Sequence, residues 1–168
     1  MTDTAQTEES KSIGEVVRES FSELGSTLVA FINAPKALWG INIPYVIEGL
    51  VYFGILTILG KYCSENVGLS DLHAGWVYSV VTAGITFAML FLGGVCDKIG
   101  VPRTLIIAFI LFVLGRALVA LSGTLDLGRG LGSPMFLVMA VGLFTYVVAY
   151  GLYQPAAYAG VKRYTNPK

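Results

Sequence analysis

The apolar run ALWGINIPYVIEGLVYFGILTILG, Ala37 to Gly60, carries one charged side chain, Glu48. At about 1.5 Å per helical residue it is long enough to cross a hydrocarbon core of roughly 30 Å. Water is absent there, so the backbone must satisfy its own polar groups, and a helix is the simplest solution. A carboxylate near the middle of such a helix costs several kcal/mol unless it is compensated. That makes Glu48 a functional-site candidate. The plainer reading is a carboxyl that stays protonated and hydrogen-bonds a neighbouring helix.

The rest of the chain repeats the theme. Of 168 residues, 55% are hydrophobic and only 13% are charged. Soluble domains carry about 25% charged residues, so the composition belongs in a bilayer, with lipid as its surroundings. A formal net charge of zero argues against nucleic acid as a partner. Four spans are expected, at about 37–60, 74–95, 104–122 and 134–160. The second follows a Ser70-Asp71 helix start, the third follows Pro102, and the fourth holds Pro155 near its end. Short loops, 61–73, 96–103 and 123–133, make successive helices antiparallel neighbours.

Basic residues set the expected orientation. With the N-terminus inside, Lys36, Lys98, Arg103, Lys162, Arg163 and Lys168 lie near the inner face, against Lys61 and Arg129 outside. Both termini are therefore expected in the cytoplasm of a multi-pass cell-membrane protein. Trp39, Tyr62, Trp76, Tyr158 and Tyr164 fall near the expected interfaces, where aromatic anchors belong. The polar, acidic N-terminus gives no sign of a secretory signal peptide. Ahead of the first span, Ile13, Val16, Val17, Phe21, Leu24, Leu28, Phe31 and Ile32 recur at helical spacing, with Glu15, Arg18, Glu19, Glu23 and Ser26 on the other face. Residues 12–34 thus read as an amphipathic helix, lying on the cytoplasmic membrane surface or packed against other cytoplasmic helices. Residues 1–11 are expected to be disordered, and 35–168 to form the membrane domain.

The loop GGVCDKIGVPRTL carries Gly93, Asp97, Lys98, Gly100 and Arg103 in the pattern G-x-x-x-D-[RK]-x-G with a basic residue beyond. It resembles the signature loop of the major facilitator superfamily, which lies between the second and third helices. The basic pair usual after the second glycine is Val101-Pro102 here. The resemblance covers about 31–168 and implies an all-α integral membrane fold, the first four helices of an N-terminal bundle. In that superfamily the loop acts as a cytoplasmic gate between the two halves of a carrier. Glu48, Tyr52, Phe53 and Gly54 are also similar to the first-helix motif of proton-coupled oligopeptide transporters, with Gly49 and Leu50 replacing its arginine and phenylalanine. Gly151-Leu152-Tyr153-Gln154-Pro155 resembles that family's glycine-x-x-lysine-proline stretch, with Gln154 in place of the lysine. Peptide as substrate therefore does not follow.

The resemblance implies secondary active transport of a small solute, a symport with alternating access and protons as the coupling ion. Glu48 suits the proton role, and Arg116 is its obvious partner at similar depth, roughly 18 Å from the inner end at 1.5 Å per residue. Arg116 could instead snorkel to the outer headgroups. Tyr45, Tyr52, Tyr150 and Gln154 are candidates for solute contact, beside Asn42, Tyr146 and Tyr153; an aromatic stripe also serves plain packing. The sequence shows no phosphate loop, nucleophile elbow or metal-ligand cluster, so no enzyme activity, cofactor or metal is expected. Cys63 and Cys96 are expected on opposite membrane faces, too far apart to bridge. Carriers of the superfamily commonly have twelve spans, so a four-span chain reads as an N-terminal fragment whose partners lie in the remainder of the transporter or in a separate chain. The alternative is a small, non-transporting membrane protein that works by helix association with itself or a partner.

Overall fold

The computed structural model describes residues 13–124 and 128–165. The segment expected to be disordered, 1–11, and Lys168 lie outside the described residues, as do the side chains of Ile13, Glu15, Val16, Leu28 and Phe31. The regular structure described is helical: α1 Ile13–Ile32, α2 Lys36–Glu65, α3 Asp71–Leu92, α4 Val95–Ile99, α5 Val101–Ser122 and α6 Pro134–Thr165. Four of them, α2, α3, α5 and α6, are long and apolar enough to cross a membrane. The architecture is that of an all-α bundle of membrane helices.

The chain divides into two units between Lys36 and Ala37. In the first, α1 leaves Val17, Phe21, Leu24 and Ile32 exposed on its surface. It ends shortly before Pro35, which lacks a backbone N–H and disfavours helical conformation in the residue preceding it.

The helix boundaries of the second unit have local causes. The Ser70 hydroxyl caps α3 by accepting from the His73 amide, with Asp71 in the first turn near the positive end of the helix dipole. The Ser133 hydroxyl accepts from the Phe136 amide at 3.1 Å, and Pro134 opens α6 where its missing donor is harmless. Between α4 and α5 the chain turns at Gly100, whose φ of 86° suits a residue without Cβ. Two helices run further than the apolar stretches predict: α2 continues to Glu65 and α6 to Thr165. Their last turns are polar, so these helices continue beyond the segment that hydrophobicity alone marks out. Cys63 consequently lies within α2 rather than in a loop. The stretch after the second span contains α4, one short helix.

The centre of the bundle is α6. Half of its most apolar segment is buried, against 22% or less in the other three spans. Its backbone approaches those of α3 and α5 closely, whereas α2 and α3, consecutive in the chain, do not approach each other in this way. Small residues make the close approaches possible. A Cβ on Gly115 of α5 would stand 2.9 Å from the Gly142 carbonyl oxygen, and one on Gly151 would stand 2.7 Å from Ala88 Cβ on α3. By contrast, α2 reaches the others through long side chains. Its Tyr62 hydroxyl donates to the Val119 carbonyl at 2.9 Å and lies 2.8 Å from the Ser122 hydroxyl, which ties the C-terminal ends of α2 and α5. Tyr62→Phe removes this clasp and is expected to lower stability by about 1 kcal/mol. Reversible unfolding in mixed detergent micelles measures the change, and a wild-type value would dismiss the clasp.

Candidate functional site

Glu48 lies four residues beyond Pro44 inside α2 and is only 6% exposed. Proline has no N–H to donate, so α2 lacks the helical bond from residue 44 to the Gly40 carbonyl, in the turn that precedes the carboxylate. Glu48 faces two other helices. Its Oε1 accepts from the Tyr150 hydroxyl of α6 at 2.8 Å and pairs with Arg116 Nη2 of α5. Three spans therefore meet at one oxygen atom.

Arg116 is flanked by rings. Its guanidinium carbon lies 4.9 Å from the centroid of Phe112 and 5.4 Å from that of Tyr146. Aromatic faces are electron-rich, which favours a cation in surroundings with little water. Phe112 in turn meets Tyr150 edge-on at 4.8 Å, and Tyr150 meets Tyr146 at 5.0 Å. These contacts fix the two tyrosines against the ion pair. A pair of opposite charges without such support would lose much of its attraction to desolvation.

The ion pair lies between two cavities. One, of about 330 Å³, is lined by Glu48 together with Tyr45, Tyr52, Tyr150, Tyr153 and Gln154. The other, of about 520 Å³, is lined by Arg116 and Tyr146 among aliphatic side chains such as Val51, Ile55 and Leu143. The structure thus gathers Glu48, Tyr45, Tyr52, Tyr150 and Gln154 around one space and sets Arg116 on the wall of the next. Tyr45 stacks on Tyr153 at 6.3 Å, and its hydroxyl lies 3.2 Å from that of Tyr158. Tyr52 packs edge-on against Tyr150 at 5.2 Å.

The residues of the signature loop lie apart from this cluster. Asp97 and Lys98 belong to α4, Arg103 to the first turn of α5, and all three are exposed. Among the described residues they make no ion pair. Gly93 closes α3 beside Pro155 of α6, where a Cβ would lie 3.7 Å from the proline ring.

Phe112 carries no polar mark in the sequence, although it sits one helical turn before Arg116 and so shares its face. Tyr62 and Tyr158, expected as interface anchors, also use their hydroxyls to join α2 to α5 and to α6. No local signal marks those contacts, which span 57 and 113 residues.

Membrane-length helices packed around an internal charge pair define a multi-pass membrane protein. A family model described as Major Facilitator Superfamily matches residues 24–168. The chain belongs to that superfamily, a family of small-solute transporters. No curated protein and no solved structure matches it.

Proposed function

We propose that the chain serves proton-coupled secondary transport of a small solute by alternating access, with Glu48 as the proton-accepting group. The observation that carries this reading is the contact of buried Glu48 with both Arg116 and Tyr150. A proton on Glu48 cancels its charge and weakens the tie between α2 and α5, while Tyr150 still has an oxygen to bond. Proton uptake is thereby linked to how firmly one helix is held by two others. The likeness of Glu48, Tyr52, Phe53 and Gly54 to the first-helix motif of proton-coupled oligopeptide transporters supports the same role.

Around that pair, Tyr45, Tyr52, Tyr150 and Gln154 are the solute-contacting side chains. Gly93, Asp97, Lys98, Gly100 and Arg103 form a gating loop on the cytoplasmic side, in keeping with the excess of basic residues at that face. With its apolar side chains exposed, α1 lies along the cytoplasmic membrane surface.

The test is uptake into proteoliposomes under an imposed pH gradient, with a panel of labelled small solutes. Glu48→Gln is expected to cut accumulation driven by the gradient by at least about tenfold, a loss that corresponds to about 1.4 kcal/mol of coupling. Solute exchange at equal pH should persist. Equal gradient-driven uptake by both proteins would remove Glu48 from the proton path.

A further inference from the structure

We infer that the Arg116 cavity receives the carboxylate of a small, otherwise apolar organic acid, which takes Arg116 over from Glu48 once Glu48 is protonated. This rests on the proton-coupled reading above and adds the class of solute, for which the Arg116 cavity is a second station beside the one lined by Tyr45, Tyr52, Tyr150 and Gln154.

Three buried side-chain polar atoms have no hydrogen-bond partner among the described residues: Arg116 Nε, the Tyr146 hydroxyl and the Tyr153 hydroxyl. The first two belong to residues on the wall of the same cavity. Tyr146 is 2% exposed, so bulk water does not relieve its hydroxyl. An arginine nitrogen only donates, and a tyrosine hydroxyl has a proton to give. The Tyr146 hydroxyl lies within electrostatic reach of Arg116 and Tyr150, yet neither it nor Arg116 Nε meets an acceptor in hydrogen-bond geometry, and a buried donor without one is costly.

Charge narrows the choice further. Glu48 touches Arg116 but does not line this cavity, and among the described residues no other carboxylate does. A guanidinium stays protonated under all ordinary conditions. When Glu48 takes up a proton, Arg116 is left as a cation in apolar surroundings without its counter-charge, and an anion is the species that restores balance. A carboxylate suits the arginine fork, where it can bond to Nε and a terminal nitrogen together. A cationic solute would be repelled by Arg116, and an uncharged one would leave the guanidinium uncompensated.

The rest of the wall describes the remainder of the molecule. Val51, Ile55, Ile58, Leu59, Val119 and Leu143 are aliphatic. The other polar lining residue, Tyr62, already spends its hydroxyl on Val119 and Ser122. The body of the solute is therefore apolar. A volume of about 520 Å³ falls within the roughly 300–1,000 Å³ usual for small-molecule sites. In the binding step one proton bonds to a Glu48 oxygen and one carboxylate pairs with Arg116. Net charge is unchanged, and no bond within the solute breaks.

Binding can be measured calorimetrically with the full chain in lipid nanodiscs, using benzoate and hexanoate as probes and benzamide, hexanamide and hexylamine as controls. Both acids should bind saturably, and the controls about tenfold or more weakly, the difference expected for charge-assisted hydrogen bonds. Arg116→Lys keeps the charge but loses Nε and should weaken the acids about tenfold. Tyr146→Phe keeps the ring packing and should weaken them severalfold, with helix content checked by circular dichroism. Glu48→Gln should bind the acids at least as tightly as wild type and no longer depend on pH through this residue. Amides that bind as well as acids would overturn the inference. So would acid affinity untouched by both Arg116→Lys and Tyr146→Phe. If neither acid binds while Glu48→Gln still abolishes gradient-driven uptake of another solute, the solute class fails and proton coupling stands. Selective acid binding that needs Arg116 and Tyr146, with uptake indifferent to the pH gradient, supports the site and rejects the coupling.

Discussion

Glu48→Leu is expected to destabilise the bundle by about 3 kcal/mol, the lower end for a buried ion pair that loses one member, because the Arg116 side chain keeps 29% of its exposure. Arg116 then keeps its charge between Phe112 and Tyr146 with nothing opposite, and Tyr150 loses the acceptor of its 2.8 Å hydrogen bond. Arg116→Met should cost distinctly less. A carboxyl stranded in apolar surroundings can take up a proton and remain buried as a neutral group, whereas a guanidinium cannot shed its own. The double variant Glu48→Leu with Arg116→Met removes both charges and should recover most of the loss, because well-packed apolar residues replace buried ion pairs at little cost. Unfolding of all four proteins under the same micelle conditions closes a double-mutant cycle. Additive losses in the double variant would show that the two side chains act independently.

Adding carbon at the closest helix contacts is expected to be nearly as damaging. Gly142→Val places a Cβ 2.8 Å from the Gly115 carbonyl oxygen and 2.9 Å from Leu118 Cβ. Gly151→Leu places one 2.7 Å from Ala88 Cβ and 2.8 Å from the Ala88 carbonyl carbon. The obstruction is backbone and the Cβ atoms fixed to it, which cannot rotate aside as a side-chain tip can. Each change should therefore cost about 1–3 kcal/mol or more through forced separation of the helices. Even Gly115→Ala should be felt, since its Cβ would lie 2.9 Å from both the Gly142 oxygen and the Tyr146 nitrogen. Gly40→Ala is the matching control: nothing lies within 4 Å of its Cβ position, so improved helix propensity should make it neutral or slightly stabilising. If Gly142→Val and Gly151→Leu unfold like Gly40→Ala, α6 does not pack through these glycines. Gly151→Leu also bears on transport, because α6 carries Tyr150, Tyr153 and Gln154.

Much of this was legible in the chain before folding was considered, for reasons that differ by residue. Runs such as LIIAFILFVLG admit few structures, because a membrane offers no partner for an unpaired amide and a helix needs none. Glu48 and Arg116 stood out by the same logic, as charges in stretches that otherwise exclude them. The helix ends were less legible. Lys61 and Glu65 look like loop residues by polarity, yet α2 runs through them, with an ion pair one helical turn apart. Polarity reports where lipid ends, which need not be where a helix ends.

The contacts were another matter. Periodicity places Tyr45, Tyr52 and Glu48 on α2 and Tyr150, Tyr153 and Gln154 on α6, but it cannot say which faces turn toward each other. That depends on how closely the helices approach, and Gly115, Gly142 and Gly151 set this distance through backbone contacts between residues far apart in sequence. The linear order of residues was enough for the number of membrane helices and for the two charges that need explaining, since both follow from the cost of polar groups in hydrocarbon, a property of each segment alone. That those charges meet each other, with Tyr150 at the same oxygen and a cavity on either side, was decided by packing, because facing surfaces are a property of pairs of helices and exist only once the bundle has formed.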